Sequence, residues 1–126
     1  MAVTIGLWFA GVVGVAIVLI GVRFFAQPAA ASAAFGVPAA ADDAYLTTKG
    51  VRDIASGLFI GLLVWRGQPG LVGWFMLVAT LIPIVDGLIV LRHHGPRLAA
   101  FGLHWATAIF MLASAGLLLL GQPVMG

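Results

Sequence analysis

Long runs of apolar residues are the feature that most constrains how this chain can fold. Three such runs, Val3–Phe25, Leu71–Leu91 and Leu98–Leu120, are each long enough to cross a bilayer, since a spanning helix needs about 20 mostly apolar residues. Hydrophobic residues make up 63% of the 126-residue chain and charged residues only 8%, against about a quarter in ordinary soluble domains. Lipid is therefore the expected surrounding of most of this chain.

A further helix is expected between the first two of these runs. The apolar stretch Ile54–Trp65 is too short to span alone, so this second helix has to begin near Asp43 and carry polar residues into the bilayer. Asp42 and Asp43 can cap the free N–H groups at such a start. The sequence thus predicts an all-α, four-transmembrane-helix bundle, with room for a short interfacial helix between helices one and two. We expect one integral-membrane domain over residues 1–126, with helices at about 3–25, 43–65, 71–91 and 98–120.

Helix one carries a stripe of small residues. Gly6, Ala10 and Gly14 follow at four-residue spacing, and Gly21 comes one further heptad along. Small residues at this spacing let a neighbouring helix approach the backbone closely. The stripe therefore predicts a helix-packing face.

Cations near the predicted helix ends indicate an orientation. One side of the membrane would hold five of them, and the other side only Arg66; the five are Arg23, Lys49, Arg52, Arg92 and Arg97. Positive residues concentrate in cytoplasmic loops. The opposite side would carry an interfacial aromatic belt of Trp8, Trp65 and Trp74. We therefore expect a multi-pass protein of the bacterial inner membrane with extracytoplasmic N- and C-termini.

Ionisable residues at a single depth of the predicted bundle are the main indication of a site. Arg52 and Asp53 on helix two, Asp86 on helix three and His104 on helix four all fall ~10 Å inside the cytoplasmic edge. Each charge near the bilayer core costs at least ~2.5 kcal/mol, so the four groups should face one another. Asp53 can reach Lys49 one helical turn away, which leaves Asp86 as the expected partner of Arg52.

Two interpretations of this polar layer stay open. Buried ion pairs can simply lock helices together, whereas intramembrane ionisable residues often mark functional sites. In the functional interpretation Asp86, His104 and Asp53 are candidate catalytic residues, with His104 and Asp86 as a proton-handling pair in which the carboxylate orients the imidazole. The candidate ligand-binding residues share the neighbouring helix faces: Arg52, Lys49, Tyr45, Ser56 and Thr107.

Composition and spacing argue against several classes of function. A chain with no cysteine has no thiol nucleophile, disulfide or thiolate metal site. Its cations flank helices and form no basic stripe interleaved with aromatics, so nucleic acid is not an expected partner. Neighbouring histidines on a tight turn, such as His93 and His94, seldom converge on one ion. We expect no metal site and no cofactor.

A short motif links the chain to a known family. Phe35-Gly36-Val37-Pro38 precedes Ala44-Tyr45, and Lys49-Gly50-Val51-Arg52-Asp53-Ile54 and then Gly57 follow. This pattern resembles DUF4267, an uncharacterised bacterial and fungal family of small four-helix membrane proteins that is loosely similar to DoxX-type proteins. The resemblance implies a four-helix fold and a site near the Lys-Gly-x-Arg-Asp segment. It implies no activity, and Asp86 and His104 lie outside the motif.

Three functions of different classes fit these features. The first is a membrane protein whose cytoplasm-proximal polar pocket binds or transforms a small lipophilic molecule by acid/base chemistry, and whether it is an enzyme stays open. The second is an accessory or assembly subunit of a larger membrane complex. The third is a proton-coupled small-molecule transporter, which the almost entirely apolar outer half disfavours. The expected partners are the lipid bilayer, a lipophilic small molecule, and either further copies of this chain in a homo-oligomer or a larger membrane complex.

Overall fold

Helices occupy most of residues 1–123, the part of the chain that this computed structural model describes. In chain order they are α1 (Ala2–Ala26), α2 (Pro28–Phe35), α3 (Ala44–Trp65), α4 (Pro69–Ala79), α5 (Leu81–Arg92), a π-helical segment (Leu98–Trp105) and α6 (Ala106–Leu120). The described residues contain no strand, which confirms the all-α class. The C-terminus, for which the sequence predicts an extracytoplasmic position, falls in residues 124–126 and lies outside the described range.

Three helical stretches are long and apolar enough to cross a membrane. They are Ala2–Ala26, the run Pro69–Arg92 that α4 and α5 form together, and Leu98–Leu120. Helix α3 is 22 residues long, but it carries Lys49, Arg52 and Asp53 and is not among the three. Many large apolar side chains on all of these helices point outward. These stretches indicate a multi-pass membrane protein whose outer surface suits contact with lipid.

Local sequence signals set the ends of α2 and α3. Pro28 opens α2, where a missing N–H costs nothing, and Gly36 ends it with a left-handed φ of 109°. The Asp43 side chain accepts a hydrogen bond from the Tyr45 backbone N–H at 3.0 Å, so Asp43 caps α3 as the sequence predicts. A helix therefore does occupy part of the connector between α1 and α3.

The run formed by α4 and α5 is interrupted in its middle. The helix breaks at Thr80, three residues before Pro83, whose ring nitrogen cannot donate to the Ala79 carbonyl. The Thr80 hydroxyl donates to the Met76 carbonyl oxygen at 2.7 Å and so satisfies its own buried oxygen. This break faces the interior of the bundle, since Thr80 and Pro83 are both buried.

Helix α1 packs against α3 through paired glycines. A Cβ atom on Gly57 would lie 2.5 Å from the Gly14 carbonyl oxygen, and a Cβ on Gly21 would lie 2.7 Å from the Gly50 carbonyl oxygen. Any side chain at these positions would collide with backbone, so the two helices lie in direct backbone contact. The pairing of early residues of α1 with late residues of α3 makes the helices antiparallel.

The same face of α1 also contacts α6. The Ser114 hydroxyl donates to the Gly6 carbonyl oxygen at 2.9 Å in a fully buried position, and a Cβ on Gly6 would collide with Leu118. The predicted packing role of the small-residue stripe is confirmed by these contacts. Around it lies an apolar core formed by Ala10, Val13, Ile60, Val72, Met76, Met111, Ala115 and Leu118.

The antiparallel arrangement gives the bundle two distinct ends. Trp8, Trp65 and Trp74 lie exposed at one end, which we call the tryptophan end. The connector helix α2 lies at the opposite end, which we call the α2 end, together with the start of α3. The apolar core occupies the half nearer the tryptophan end, because its residues come from the first half of α1 and the second half of α3.

Replacing Gly57 by alanine should destabilise the bundle, because the new methyl group would meet the Gly14 carbonyl and the Val18 side chain at 2.5 Å. We expect the free energy of unfolding to fall by about 1–3 kcal/mol, measured by denaturant titration in detergent. Gly61→Ala is the matched control, since a Cβ there meets nothing within 4 Å. It should leave stability unchanged or raise it by up to about 1 kcal/mol. Equal effects of the two changes would contradict close α1–α3 packing.

Candidate functional site

A cavity of about 250 Å³ lies in the half of the bundle nearer the α2 end. Residues of α1, α2, α3, α4, α5, the π-helical segment and α6 all contribute to its walls. Most of the lining is aliphatic or aromatic, and the polar lining residues are Arg23, Lys49, Asp53, Ser56, Asp86, His104 and Thr107. The cavity therefore combines a large apolar surface with a small group of ionisable side chains.

The structure brings together the residues that the sequence singles out. Six of the eight line this cavity: Asp86, His104, Asp53, Lys49, Ser56 and Thr107. The other two, Tyr45 and Arg52, line a second and more open space of about 500 Å³, which shares Lys49, Asp53, Ser56 and Asp86 with the first. The predicted residues thus surround two adjoining spaces, while their chemical roles remain predictions.

Lys49 is held from two directions at the boundary of these spaces. Its Nζ atom lies 2.9 Å from Oδ2 of Asp53, one helical turn further along α3. The same ammonium lies 5.3 Å from the ring centre of Phe24 and 4.9 Å from that of Phe35, within the range of a cation–π contact. The expected pairing of Lys49 with Asp53 is confirmed, and each charge neutralises the other.

The expected pairing of Arg52 with Asp86 is wrong. Within residues 1–123 the ion pair between side chains is Lys49–Asp53, and Arg52 is exposed. The physical reason is helix geometry: adjacent residues point in directions about 100° apart, so the face of α3 that directs Asp53 inward turns Arg52 outward. Arg52 can keep its charge in polar surroundings at the α2 end without a buried partner.

Asp86 is consequently left without a partner. Its carboxylate makes no ion pair or hydrogen bond with any side chain among residues 1–123. In that part of the chain, every fully buried side-chain nitrogen or oxygen has a hydrogen-bond partner, so the carboxylate oxygens of Asp86 must remain reachable. Both spaces include Asp86 in their lining. An unpartnered carboxylate therefore faces a mainly apolar cavity.

His104 is oriented by a backbone carbonyl. Its Nε2 atom lies 2.8 Å from the carbonyl oxygen of Phe35, and the two rings meet edge to face with centres 4.6 Å apart. A carbonyl only accepts, so Nε2 carries a proton, and in the neutral ring Nδ1 is then an acceptor. The ring is only 6% exposed, yet Nδ1 has no hydrogen-bond partner in the described range, so Nδ1 must be reachable from the cavity.

The expectation that Asp86 orients this imidazole is therefore wrong. The partner is the last residue of α2, which lies 69 positions earlier in the chain, and sequence reasoning missed it. The one signal that could have found Phe35 is its place at the start of the Phe-Gly-Val-Pro segment. His104 itself lies in a π-helical segment of eight residues, and π-helical turns are frequent at functional sites.

The connector between α1 and α3 forms a wall of the cavity. Ala31, Ala34 and Phe35 of α2 belong to the lining. The Tyr45 hydroxyl donates to the Val37 carbonyl oxygen at 2.8 Å, and Ser32 Oγ accepts from the Ala39 N–H at 3.1 Å. Tyr45 thus fastens the connector to the start of α3, and its hydroxyl proton is already used.

Thr107 has a similar local role, because its hydroxyl donates to the Leu103 carbonyl oxygen at 2.6 Å.

The described residues contain no group of three histidine, aspartate or glutamate side chains that could hold a metal ion. The arrangement offers a carboxylate, an imidazole nitrogen and a neutralised Lys–Asp pair around an apolar space. Such a set can bind a polar head group and exchange a proton with it.

Comparison with known proteins identifies a family to which the chain is similar. The family DUF4267, described as a domain of unknown function, matches residues 14–118. That range contains every residue that lines the cavity. No curated protein and no solved structure matches the chain, and the looser likeness to DoxX-type proteins stays a prediction. Since the match covers most of the sequence, from the middle of α1 nearly to the end of α6, the chain belongs to the DUF4267 family.

Proposed function

We propose that this chain is an integral membrane protein that binds a small lipophilic molecule in the 250 Å³ cavity and acts on it by acid/base chemistry. The observation that carries the proposal is the unpartnered Asp86 carboxylate in a mainly apolar cavity. Ligand sites are typically apolar clefts with a few convergent polar groups. An ionisable residue inside a membrane bundle is costly and by default marks a function.

The size of the cavity supports a small ligand. A dry protein cavity of about 150 Å³ holds benzene. By proportion, a cavity of about 250 Å³ has room for ~10 carbon atoms. The aromatic rings of Phe24, Phe35 and Phe75 in the lining suit a flat apolar body.

The polar groups suit defined roles. Asp86 would bind the polar group of the ligand, and His104 Nδ1 would accept a proton from it while the Phe35 carbonyl holds the ring in one tautomer. Asp53 is bound to Lys49, so Asp53 would act through this pair and not as a free base. Ser56 and Thr107 would contribute hydroxyl contacts from neighbouring turns.

We further propose that the chain crosses the membrane four times. Helix α3 lies antiparallel to α1 in backbone contact, and its inward-facing charges, Lys49 and Asp53, neutralise each other, which lowers the cost of placing α3 in lipid. With cations concentrated at the α2 end, the positive-inside rule puts that end in the cytoplasm and the tryptophan end outside. The protein would then sit in a bacterial inner membrane with extracytoplasmic termini.

The packing near the tryptophan end favours binding over transport. That half is filled by the apolar core around Ile60, Met76 and Met111, and its buried Ser114 hydroxyl is already bonded to the Gly6 carbonyl oxygen. A proton-coupled transporter needs a polar path to both sides. The outward apolar faces suit lipid as well as a partner protein, and so give no specific support to an accessory-subunit role.

Filling the cavity should displace its ligand. Ala79 lines the cavity, and we expect Ala79→Leu to reduce the amount of any lipophilic molecule that co-purifies with the protein by at least about tenfold, since each buried methylene removes space in a close-packed interior. The measurement is mass spectrometry of organic extracts from equal amounts of folded protein. Ala113→Leu, at an exposed position of α6, is the matched control. Retention that is equal in both variants would contradict a ligand in this cavity.

Breaking the contact between His104 and Phe35 should loosen α2. In His104→Ala the Phe35 carbonyl loses its donor, which costs about 1–3 kcal/mol for a buried group. We expect amide hydrogen exchange in residues 29–36 to become about tenfold faster, measured by mass spectrometry, while exchange in α6 stays unchanged. His93→Ala is the control, because the hydrogen bond of the His93 ring goes to the Ile89 carbonyl of the preceding helical turn and not to α2. Unchanged exchange in α2 would show that this hydrogen bond does not hold the connector.

A further inference from the structure

Two polar groups that remain free in the cavity, on Asp86 and His104, are hydrogen-bond acceptors. The Asp86 carboxylate can accept several hydrogen bonds and has no donor among the residues that the structure describes. His104 Nδ1 is an acceptor in the neutral ring, because Nε2 donates to the Phe35 carbonyl oxygen at 2.8 Å. Two acceptors from different helices therefore face the same space.

A backbone carbonyl of a lining residue also lacks its usual helical donor. In a regular helix the carbonyl of Ala79 would receive the N–H of residue 83, but that residue is Pro83 and has no N–H. Both Ala79 and Pro83 line the cavity, beside the helix break at Thr80. The break thus leaves an acceptor without its helical donor in the same wall.

Two donors of the lining are already engaged. The Lys49 ammonium is bonded to Asp53 at 2.9 Å and lies over the rings of Phe24 and Phe35. The Thr107 hydroxyl donates to the Leu103 carbonyl oxygen at 2.6 Å. The Ser56 hydroxyl and the exposed Arg23 guanidinium also line the cavity, but neither donates a hydrogen bond to Asp86. A molecule that satisfies the Asp86 carboxylate therefore brings a hydrogen-bond donor of its own.

The charges of the lining favour a neutral donor. The lining holds two cationic residues, Arg23 and Lys49, and two acidic residues, Asp53 and Asp86. A bound ammonium would pair with Asp86 but leave the lining as a whole with an excess positive charge, and a bound carboxylate would place a second negative charge beside Asp86. Either excess is costly in a poorly solvated space. A hydroxyl group donates a hydrogen bond and leaves the net charge of the cavity unchanged.

From this donor and acceptor pattern, and resting on the proposed function, we infer that the ligand is a neutral lipophilic molecule with a hydroxyl group, a phenol or a lipophilic alcohol. Its hydroxyl group donates a hydrogen bond to the Asp86 carboxylate and keeps its proton in the bound state. Its apolar body contacts Ile17, Ile60, Phe75 and Met111.

The test compares four probes that share one naphthalene ring, of the size that the cavity admits: 2-naphthol, 2-methoxynaphthalene, 2-naphthylmethylamine and 2-naphthoic acid. Binding to wild-type protein in lipid nanodiscs at neutral pH is measured by equilibrium dialysis, and partition into empty nanodiscs is subtracted. We expect 2-naphthol to bind at least about tenfold more tightly than each of the other three, since only this neutral probe satisfies the free carboxylate.

Variants identify the group that recognises the hydroxyl. Asp86→Asn should weaken 2-naphthol binding by about five- to tenfold, because a hydrogen bond to a charged acceptor is stronger than one to an amide. It should leave 2-methoxynaphthalene unaffected. Asp42→Asn, which removes an exposed carboxylate in the connector, is the control and should change neither. If Asp86→Asn does not fold, the comparison of the four probes on wild-type protein still tests the inference.

Two results would separate the failure of this inference from that of the proposed function. Equal binding of 2-naphthol and 2-methoxynaphthalene, or tighter binding of the amine or the acid, would overturn the hydroxyl assignment and leave the cavity as a ligand site. No protein-dependent binding of any probe, together with no loss of co-purifying molecules in Ala79→Leu, would overturn the proposed function and this inference with it.

Discussion

The ion pair between Lys49 and Asp53 is the interaction on which the rest of this bundle depends. Helix α3 carries more charge than any other helix in the described range, and it can join an apolar bundle only if its inward charges are matched. The pair at 2.9 Å achieves this within one turn of the same helix. Because no second helix is needed to neutralise Lys49 or Asp53, the glycine face of α3 is free to pack against α1.

Much of this fold follows from local sequence signals. The apolar runs predict the long helices, Asp43 predicts the start of α3, and the spacing of Gly14 and Gly21 predicts the close approach of another helix. Each of these three features depends on residues within one or two helical turns along the chain, or on the absence of a side chain at a glycine. Helical spacing likewise predicts the Lys49–Asp53 pair, since residues four apart lie on one face.

The sequence predicts which residues form the candidate site, but not which partners they bind. Depth along the helices brings Asp86, His104 and Asp53 to one level, and all three line the cavity. Their partners could not be predicted, because partners depend on how each helix is rotated. Arg52 turns outward, and His104 meets the carbonyl of Phe35 across 69 positions. A backbone carbonyl that accepts a hydrogen bond cannot be recognised from the pattern of side chains. In addition, the π-helical segment changes the direction in which the His104 side chain points, compared with a regular α-helix.

The observed pairing of charges bears on the two interpretations of the polar layer, structural and functional. A layer that only locks helices together would pair all of its charges, since an unpaired charge removes the stabilisation that justifies its burial. Here one carboxylate is paired and the other, Asp86, is left facing the cavity, although Lys49 lines the same space. The structural interpretation accounts for Lys49 and Asp53 and leaves Asp86 unexplained. Stability alone would favour an apolar residue at position 86, so the free carboxylate is better explained by what it can bind.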